Sequence, residues 1–332
     1  MKSRKKKRRQ RKLILTLMLL IIAIILIILL IRTVTKSDSK GNASGESSME
    51  SLSSTETTEI SDVLSGTEES ESSEVKEMLT LTEEEVHTGD LILVNSEHAY
   101  DFDANESTID LVNIRDTQSF YYQVGHTDIM LANRIMSSLD AMISACDEAM
   151  GTSYTGVSSA YRSKEYQQNV WDEIEETYGD DYTKSHVAVP GYSEHHTGLS
   201  LDMGIFYEDG SEDSFSESEN AQWMKEYSWR YGFVRRYAED KVDITGIGNE
   251  AWHFRYVGVP HAYYMYKNNL CLEEYLEYLE DNTSTENPLK VQVDDQSWNI
   301  WYTSDKEIEK PEGDYTISGN NTDGYIITEV IS

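Results

Sequence analysis

Residues 190–202, PGYSEHHTGLSLD, place a polar turn directly before an apolar run. The turn carries two adjacent histidines, and Asp202 follows the first of them, His195, seven positions later. From Gly198 the run continues as GLSLDMGIF, a pattern that predicts a strand. An imidazole and a carboxylate at this spacing are either metal ligands or parts of a solvated turn. The choice between these two interpretations depends on the rest of the chain.

A second polar motif lies in residues 250–258, EAWHFRYVG. Aromatic residues alternate there with His253 and Arg255, so a strand would turn both polar side chains to one face. Glu250 lies three positions before His253, and a regular strand would point it to the opposite face. The two residues can therefore share a site only if Glu250 precedes the strand or lies at a bend.

The chain around the two motifs mixes helical and strand patterns without a regular βαβ order. Residues 128–151 carry apolar side chains at helical spacing and end at Gly151, which predicts one core-facing helix. Ser163 is a predicted N-cap and Gly179 a predicted stop for the next helix. Two further helices are predicted, one over residues 219–232 and a single last helix over 261–281. Strands are predicted over residues 155–163, 198–206 and 251–258. Residues 89–96 are predicted to be a strand or an extended segment. Together these elements predict an α+β fold with a small antiparallel sheet flanked by helices.

The N-terminal residues predict a membrane anchor. Residues 1–12, MKSRKKKRRQRK, are basic, and residues 13–31 are apolar except for Thr16. About 20 apolar residues span the hydrocarbon core of a bilayer. No small-residue cleavage site follows, so a transmembrane helix over residues 13–32 is favoured over a cleaved signal peptide. The positive-inside rule then predicts a cytoplasmic segment 1–12 and a body outside the membrane.

A polar tether follows this anchor. Residues 33–75 are rich in Ser, Thr and Glu and lack aromatic side chains, which predicts a disordered acidic linker. Ten of the 28 Lys and Arg residues lie in the first 32 positions, which leaves 18 against 60 Asp and Glu. Because the chain beyond residue 32 is this acidic, phosphate groups repel it, which excludes nucleic acid as a partner. Cys146 and Cys271 are too few for a disulfide scaffold and form either one bridge or two buried thiols.

The remainder divides into two predicted regions. Residues 76–283 contain both polar motifs, and residues 284–332 form a C-terminal β-rich extension. The extension contains the strand-like stretches DQSWNIWYTS and DGYIITEVIS, which turn residues separate. We expect it to pack on the body or on a ligand.

Taken together, the two motifs supply the groups of a hydrolytic metal site. His195, Asp202 and His253 offer a zinc set that leaves a fourth position for water, and zinc lowers the pKa of such a water toward neutrality. In this interpretation Glu250 accepts the proton and passes it to a leaving amine. Arg162, in SSAYRS, stabilises the oxyanion that develops. Each pair alone is a weak signal, and only the combination predicts a site.

The sequence resembles a known family. The segments SSAYRSKEYQ, PGYSEHHTGLSLDMG, WMKEYSWRYGFVRRY and EAWHFRYVG occur in the order found in VanY-type D-alanyl-D-alanine carboxypeptidases of zinc peptidase family M15. GDLILVNSEHAYDF resembles the opening segment of that family, so the similarity covers residues 85–280. It implies the D,D-peptidase/hedgehog-like zinc peptidase fold, a peptidase domain over residues 76–283 and one bound Zn²⁺ ion.

Residue by residue, the resemblance implies a role for each group. Glu250 matches the general base, and Arg162 matches the arginine that polarises the scissile carbonyl. Gln167 and Ser193 match positions that hold the terminal carboxylate and the backbone of the substrate, and Tyr161 matches a residue that shapes the same pocket. The residues that match zinc ligands are His195, Asp202 and His253.

Other positions match no catalytic role or depart from the family pattern. His196 matches no ligand position and is expected either behind the ligands or exposed, and His261 is expected to be structural. Asn249 and Ala251 flank Glu250 where the family usually has a ring and a proline. These departures remove no catalytic group, but they bear on the rigidity of the turn at Glu250.

Together, the resemblance and the predicted anchor imply a membrane-anchored zinc carboxypeptidase that removes the terminal D-alanine from peptidoglycan stem peptides outside a bacterial cell. Its partners are then a stem peptide ending in D-Ala and, through residues 13–32, the cytoplasmic membrane. The alternatives are an L,D-carboxypeptidase, a D,D-dipeptidase or an endopeptidase of the same family, a non-catalytic wall-binding module, and an adhesin-like surface protein. Deletion of residues 284–332 would test the last: unchanged activity with lost wall retention would indicate a binding tail.

Overall fold

The computed structural model describes residues 77–105 and 109–331. The basic segment 1–12, the predicted anchor 13–32 and the predicted linker 33–75 lie outside the described residues and stay predictions. Within the described ranges, no helix is both long enough and apolar enough to cross a membrane.

Helices and strands alternate along the described chain, which confirms the α+β prediction. The strands are β1 (Met78–Thr80), β2 (Leu111–Asn113), β3 (Met130–Ala132), β4 (Thr155–Ser159), β5 (Ser200–Phe206), β6 (Glu212–Asp213), β7 (Phe233–Tyr237), β8 (Glu250–Tyr256), β9 (Leu289–Val293), β10 (Gln296–Thr303), β11 (Glu307–Glu309), β12 (Tyr315–Gly319) and β13 (Tyr325–Val330). The α-helices are α1 (Phe102–Asn105), α2 (Ile114–Thr117), α3 (Met136–Met150), α4 (Lys164–Tyr178), α5 (Asp180–His186), α6 (Glu219–Tyr227), α7 (Val242–Thr245), α8 (Val259–Asn268) and α9 (Leu272–Asn282). Short 3₁₀ helices span Glu84–His87, Asn133–Ile135, Glu194–Thr197, Phe215–Glu217, Ser228–Tyr231 and Glu239–Lys241.

The sheet that carries both polar motifs is antiparallel. Its strands lie in the order β4-β5-β8-β7, and β6 pairs with β5. The register pairs Asp202 of β5 with His253 of β8 on one side and with Ser159 of β4 on the other. Directly opposed residues of an antiparallel pair project to the same face. The register therefore brings one residue of each sequence motif together.

Helix α3 packs against this sheet. Leu139, Ile143 and Cys146 of α3 are fully buried in the same core as Val157 of β4 and Phe254 of β8. Helical spacing thus identified the buried stripe correctly, because residues three or four positions apart lie on one face of a helix.

The prediction of one helix over residues 128–151 is wrong at its start. β3 pairs with β2 there, and a 3₁₀ turn separates β3 from α3, which begins at Met136. The backbone N–H of Ala132 also donates to the carbonyl of Gly198 at 3.0 Å, in the turn that follows His195. Long-range backbone partners thus replace the helical bonds that the local spacing favours.

The single helix predicted over residues 261–281 is in fact two helices, α8 and α9. Asn269 adopts a left-handed conformation with φ of 53°, and its N–H bonds to the end of α8. α9 then begins with a capping box in which the Glu274 side chain accepts from the N–H of Cys271 at 2.9 Å. Asparagine tolerates positive φ better than most residues, which explains why the break falls there.

The C-terminal extension is β-rich, as predicted, and packs on the body. Its sheet has the order β12-β13-β10-β9, while β11 pairs with β1 at the start of the described chain. Ile300 and Ile326 of this sheet share a core with Tyr275 and Leu279 of α9. The extension is therefore joined to the helices by a common apolar core.

Residues 89–96 belong to no strand of the described structure. Their apolar side chains are buried, and their backbone bonds reach the C-terminal extension instead of a sheet neighbour. Leu91 N–H donates to Ser318 Oγ at 2.8 Å, and Leu93 N–H donates to the Asn320 carbonyl at 3.1 Å. The extended alternative is the one consistent with this segment.

Both cysteines are buried free thiols. Burial raises the pKa of the Cys146 thiol to about 11 and that of the Cys271 thiol to about 12. The alternative of one disulfide bridge is therefore wrong for this fold.

Candidate active site

His195 lies in a short 3₁₀ helix that its flanking residues fix. The Ser193 hydroxyl accepts a hydrogen bond from the His195 N–H at 3.3 Å, and Gly198 ends the helix with φ of 67°. The ring Nδ1 lies 2.6 Å from the carbonyl oxygen of Ala160. Because a carbonyl only accepts, Nδ1 carries the proton and Nε2 keeps a free lone pair. His195 is thus prepared as a ligand through Nε2.

Asp202 and His253 meet across the sheet. His253 Nδ1 lies 3.1 Å from Asp202 Oδ1, and His195 Nε2 lies 3.4 Å from Asp202 Oδ2. All three residues are buried, and each offers a ligand atom within 4.8 Å of the others. The structure therefore brings the three predicted ligands together.

Glu250 reaches the same face through a bulge in β8. Arg235 pairs with Phe254, and Tyr237 pairs with Glu250. An advance of two residues along β7 is therefore matched by four residues along β8. The two extra residues on β8 interrupt the regular ladder, so strict alternation does not apply between Glu250 and His253, and a bulge re-aims the side chains of the strand that contains it. Glu250 Oε2 consequently lies 3.8 Å from His253 Nδ1. The bend expected from the sequence thus lies inside strand β8.

Arg162 and Gln167 enter the site from the start of α4. Ser163 caps this helix as predicted, and its hydroxyl accepts from the Tyr166 N–H at 3.1 Å. Arg162 donates to Asp202 Oδ2 at 2.6 Å and to Gln167 Oε1 at 3.3 Å. The Gln167 amide in turn donates to the Ala188 carbonyl at 2.9 Å. The residues that lead into α4 thus hold an arginine beside the Asp202 carboxylate.

His196 is fully buried behind the ligands, so the alternative of an exposed side chain is wrong. Its Nδ1 lies 2.6 Å from the carbonyl oxygen of Arg162, and its Nε2 accepts from the Gly191 N–H at 3.0 Å. The ring therefore joins the turn before His195 to the start of α4.

The cluster of His195, Asp202 and His253 lines a cavity of about 230 Å³ together with Glu250, Arg162 and Gln167. Tyr161 is not part of its lining, and its predicted role in substrate binding stays a prediction. Glu194, Tyr237 and the apolar wall of the cavity were not predicted from the sequence. Glu194 and Tyr237 carry no pattern that distinguishes them from structural residues, and the apolar wall comes from α5 and the loop before β8, which approach the site only in the folded chain. The lining consists of Arg162, Gln167, Val170, Ile174, Tyr182, His186, Val187, Ala188, Ser193, Glu194, His195, Asp202, Tyr237, Ile247, Glu250, Trp252 and His253.

Burial and charge move the pKa values of the site in opposite directions. Burial raises the pKa of the Glu250 carboxyl to about 7. Burial also opposes ionisation of Asp202, but the neighbouring His195, His253 and Arg162 hold its pKa well below the usual range. Burial lowers the pKa of the His195 imidazole to about 4. The site thus combines a permanent carboxylate, a neutral imidazole and a carboxyl that exchanges its proton near neutral pH.

Comparisons with known proteins agree with this geometry. The family model described as VanY, D-alanyl-D-alanine carboxypeptidase, matches residues 128–259. A D-alanyl-D-alanine carboxypeptidase of Enterococcus faecium is 35% identical over 254 residues, which cover 75% of this chain and 78% of that protein. The bifunctional D-Ala-D-Ala dipeptidase and D-Ala-D-Ala carboxypeptidase VanXYC of Enterococcus gallinarum is 41% identical over 122 residues, which cover 36% of this chain and 64% of that protein.

A solved structure extends the likeness to the fold. The vancomycin resistance D,D-dipeptidase VanXYg, in complex with a D-Ala-D-Ala phosphinate analog, matches with a TM-score of 0.67 at 30% identity. The match covers 77% of this chain and 99% of VanXYg. The protein is thus a hydrolase of the peptidase class. Within that class, the chain belongs to the VanY family of D-alanyl-D-alanine carboxypeptidases.

Proposed function

We propose that the chain is a membrane-anchored zinc carboxypeptidase that removes the terminal D-alanine from peptidoglycan stem peptides. The observation that carries the proposal is the convergence of the His195, Asp202 and His253 ligand atoms with Glu250 and Arg162 on one cavity. The activities for which the E. faecium and E. gallinarum relatives are named support D-Ala-D-Ala as the recognised end.

The donor set fits one zinc ion. His195 Nε2 and His253 Nδ1 face Asp202, and two imidazoles with one carboxylate match the ligand types of catalytic zinc sites. The chemistry that zinc supplies when bound in such a set is a water of lowered pKa and polarisation of a carbonyl.

In this proposal the protein side chains divide the remaining tasks. Glu250 accepts the proton of the attacking water and returns it to the departing D-alanine amine. Its pKa of about 7 suits both steps near neutral pH. The Arg162 guanidinium stabilises the negative oxygen of the attacked carbonyl. Gln167 and Ser193 hold the terminal carboxylate and the backbone of the substrate, and Tyr161 shapes their surroundings.

The proposed location is the outer face of a bacterial cell membrane. Residues 13–32 form the anchor, residues 1–12 stay in the cytoplasm, and residues 33–75 form the linker. The support is the charge and hydropathy pattern of the sequence. A tether that keeps enzyme and wall within one short reach raises their effective concentration.

In the test, the full chain is purified in mild detergent and incubated separately with three substrates: stem pentapeptide, stem tetrapeptide and D-Ala-D-Ala dipeptide. Mass spectrometry follows the release of alanine with and without a chelator. We expect chelator-sensitive loss of one alanine from the pentapeptide. Loss from the tetrapeptide alone would replace the proposal by an L,D-carboxypeptidase, and cleavage of the dipeptide alone by a D,D-dipeptidase.

A further inference from the structure

We propose that Glu194 is a positioning residue that fixes the ring of His253 with Nδ1 toward the metal position, and that Arg236 and Arg255 hold Glu194 in place. The inference rests on the proposed zinc function. It concerns a residue to which neither the polar motifs nor the resemblance assigns a role.

The two oxygens of Glu194 serve different partners. Oε2 lies 3.4 Å from His253 Nε2, on the side of the ring away from Asp202. Oε1 accepts from Arg236 Nε at 2.8 Å and from Arg255 Nη1 at 3.1 Å. The side chains of Glu194 and both arginines are fully buried. Oε2 also accepts from Ser200 Oγ at 3.3 Å, so the carboxylate is held through both oxygens and faces the ring of His253 with Oε2.

The two arginines are themselves fixed from other elements. Arg236 donates from Nη1 and Nη2 to the Glu273 carboxylate of α9, at 2.8 and 2.6 Å. Arg255 Nη2 donates to the carbonyl oxygens of Asp90 and Ile92, at 2.9 and 3.0 Å. Neither guanidinium can swing without breaking these bonds. The position of the Glu194 carboxylate therefore depends on β7, β8, α9 and residues 89–96.

This clamp has a consequence for His253. A histidine that binds a metal through one ring nitrogen carries its proton on the other, and a hydrogen-bond acceptor there fixes the tautomer. Glu194 supplies that acceptor at Nε2. Without this acceptor, the ring proton has no hydrogen-bond partner at Nε2. The tautomer with the proton on Nδ1 is then favoured, because Asp202 Oδ1 lies 3.1 Å from Nδ1, and that proton blocks Nδ1 as a metal ligand. Buried ion pairs of this kind seldom add net stability, so a positioning role accounts for a cluster that packing alone does not favour.

The test compares Glu194→Gln with Glu273→Gln in the full chain. Both variants neutralise one carboxylate partner of Arg236, but Glu194 alone contacts His253. Zn²⁺ affinity is measured by competition with a chromophoric chelator. We expect Glu194→Gln to weaken Zn²⁺ binding by about 10- to 100-fold, the range seen when outer partners of metal ligands are lost. Glu273→Gln acts on His253 only indirectly, by loosening Arg236, so it should weaken Zn²⁺ binding by a smaller factor than Glu194→Gln. Equal affinity in Glu194→Gln and the parent chain, or an equal loss in both variants, would overturn the inference.

A spectroscopic measurement keeps the inference testable if Glu194→Gln does not fold. Selective ¹⁵N-histidine labelling of the zinc-loaded parent chain reports which ring nitrogen of His253 carries the proton. We expect Nε2–H, with exchange slowed by its hydrogen bond to Glu194; a proton on Nδ1 would overturn the inference. A parent chain that binds no Zn²⁺ at all would instead overturn the proposed function, and the inference with it.

Discussion

Glu250 differs in its electrostatics from the other two carboxylates of the cavity. Burial raises its pKa to about 7, whereas the pKa values of Asp202 and Glu194 lie below the usual range. The difference has a physical cause: Asp202 and Glu194 each contact an arginine directly, and an opposite charge at that distance favours the ionised form. Three carboxylates of one cavity thus have different chemistry that residue type alone does not reveal.

Glu250→Gln should abolish proton transfer while leaving the three ligand side chains in place. We expect kcat for pentapeptide cleavage to fall by about 10²- to 10⁴-fold, the usual contribution of a general base. Zinc content, measured by atomic emission, should stay at the parent level. Activity within a few-fold of the parent chain would exclude Glu250 as the base.

Arg162→Lys tests whether the guanidinium is needed or only its charge. Arg162 donates to Asp202 and Gln167 at once, a geometry that a single ammonium group cannot reproduce. We expect kcat/KM to fall by about 10- to 100-fold, as for the loss of a charge-assisted hydrogen bond of roughly 1.5–3 kcal/mol. Arg134→Lys is the control, because Arg134 pairs with Asp90 at the surface. A similar loss in both variants would show that the effect is not specific to the site.

At the scale of elements, two boundaries position the site. The bulge in β8 turns Glu250 to the face of His253, and the Ser163 cap begins the helix that presents Gln167 to the cavity. The cap was predictable, because its signal is local: a hydroxyl residue directly before a helical segment. The bulge was not, because it depends on how β8 pairs with β7.

Ser163→Ala should weaken both the helix and the substrate site. Loss of a cap costs about 0.5–2 kcal/mol of stability, and the fraying of α4 should also raise KM through Gln167. Ser218→Ala is the matched control, since Ser218 caps α6 through the Ala221 N–H at 3.0 Å but does not line the cavity. Urea denaturation and steady-state kinetics measure the two effects. A higher KM in both variants would show that the change reflects lower stability in general.

At the scale of the whole molecule, the C-terminal extension is part of the fold. His261 of α8 bonds to the Tyr275 hydroxyl of α9 at 2.8 Å and to Thr328 of β13 at 3.1 Å. This confirms the structural role expected for His261. Together with the shared core of Ile300 and Ile326, it ties the extension to two helices.

Deletion of residues 284–332 should therefore abolish folding. It would expose the apolar residues of α9 that the extension covers, such as Tyr275 and Leu279. We expect the shortened chain to aggregate, whereas Lys290→Ala on the exposed surface of the extension should fold normally. Gel filtration and circular dichroism measure both. A soluble, active chain that ends at residue 283 would contradict the shared core.

The same His261 cluster predicts a pH dependence of stability. Burial lowers the pKa of His261 to about 3 in the folded chain, whereas an unfolded histidine has a pKa of about 6.5. Between these values the unfolded state binds a proton that the folded state does not. The contribution of His261 therefore falls as the pH drops from about 6.5 toward 3, by about 1.4 kcal/mol per pH unit.

His261→Gln should reduce the slope of stability against pH by up to about 1.4 kcal/mol per pH unit, the contribution of one proton. The free energy of unfolding by urea, measured between pH 6.5 and 4.5, tests the change in slope. His126→Gln is the control, because His126 is exposed. An unchanged slope in His261→Gln would contradict the burial of a neutral imidazole.

Features that depend on local spacing and residue type could be predicted before the structure was known. Four features were predictable, because each signal lies within a few residues or in a specific motif order: the mixture of helices and strands, the cap at Ser163, the buried stripe of α3 and the members of the His195, Asp202 and His253 cluster. Tertiary structure alone decided the rest. The bulge at Glu250, the split at Asn269, the strand β3 in place of a helical turn and the clamp around Glu194 arise where segments far apart in sequence pair or pack. Backbone pairing and buried charge are satisfied by partners that local periodicity does not encode.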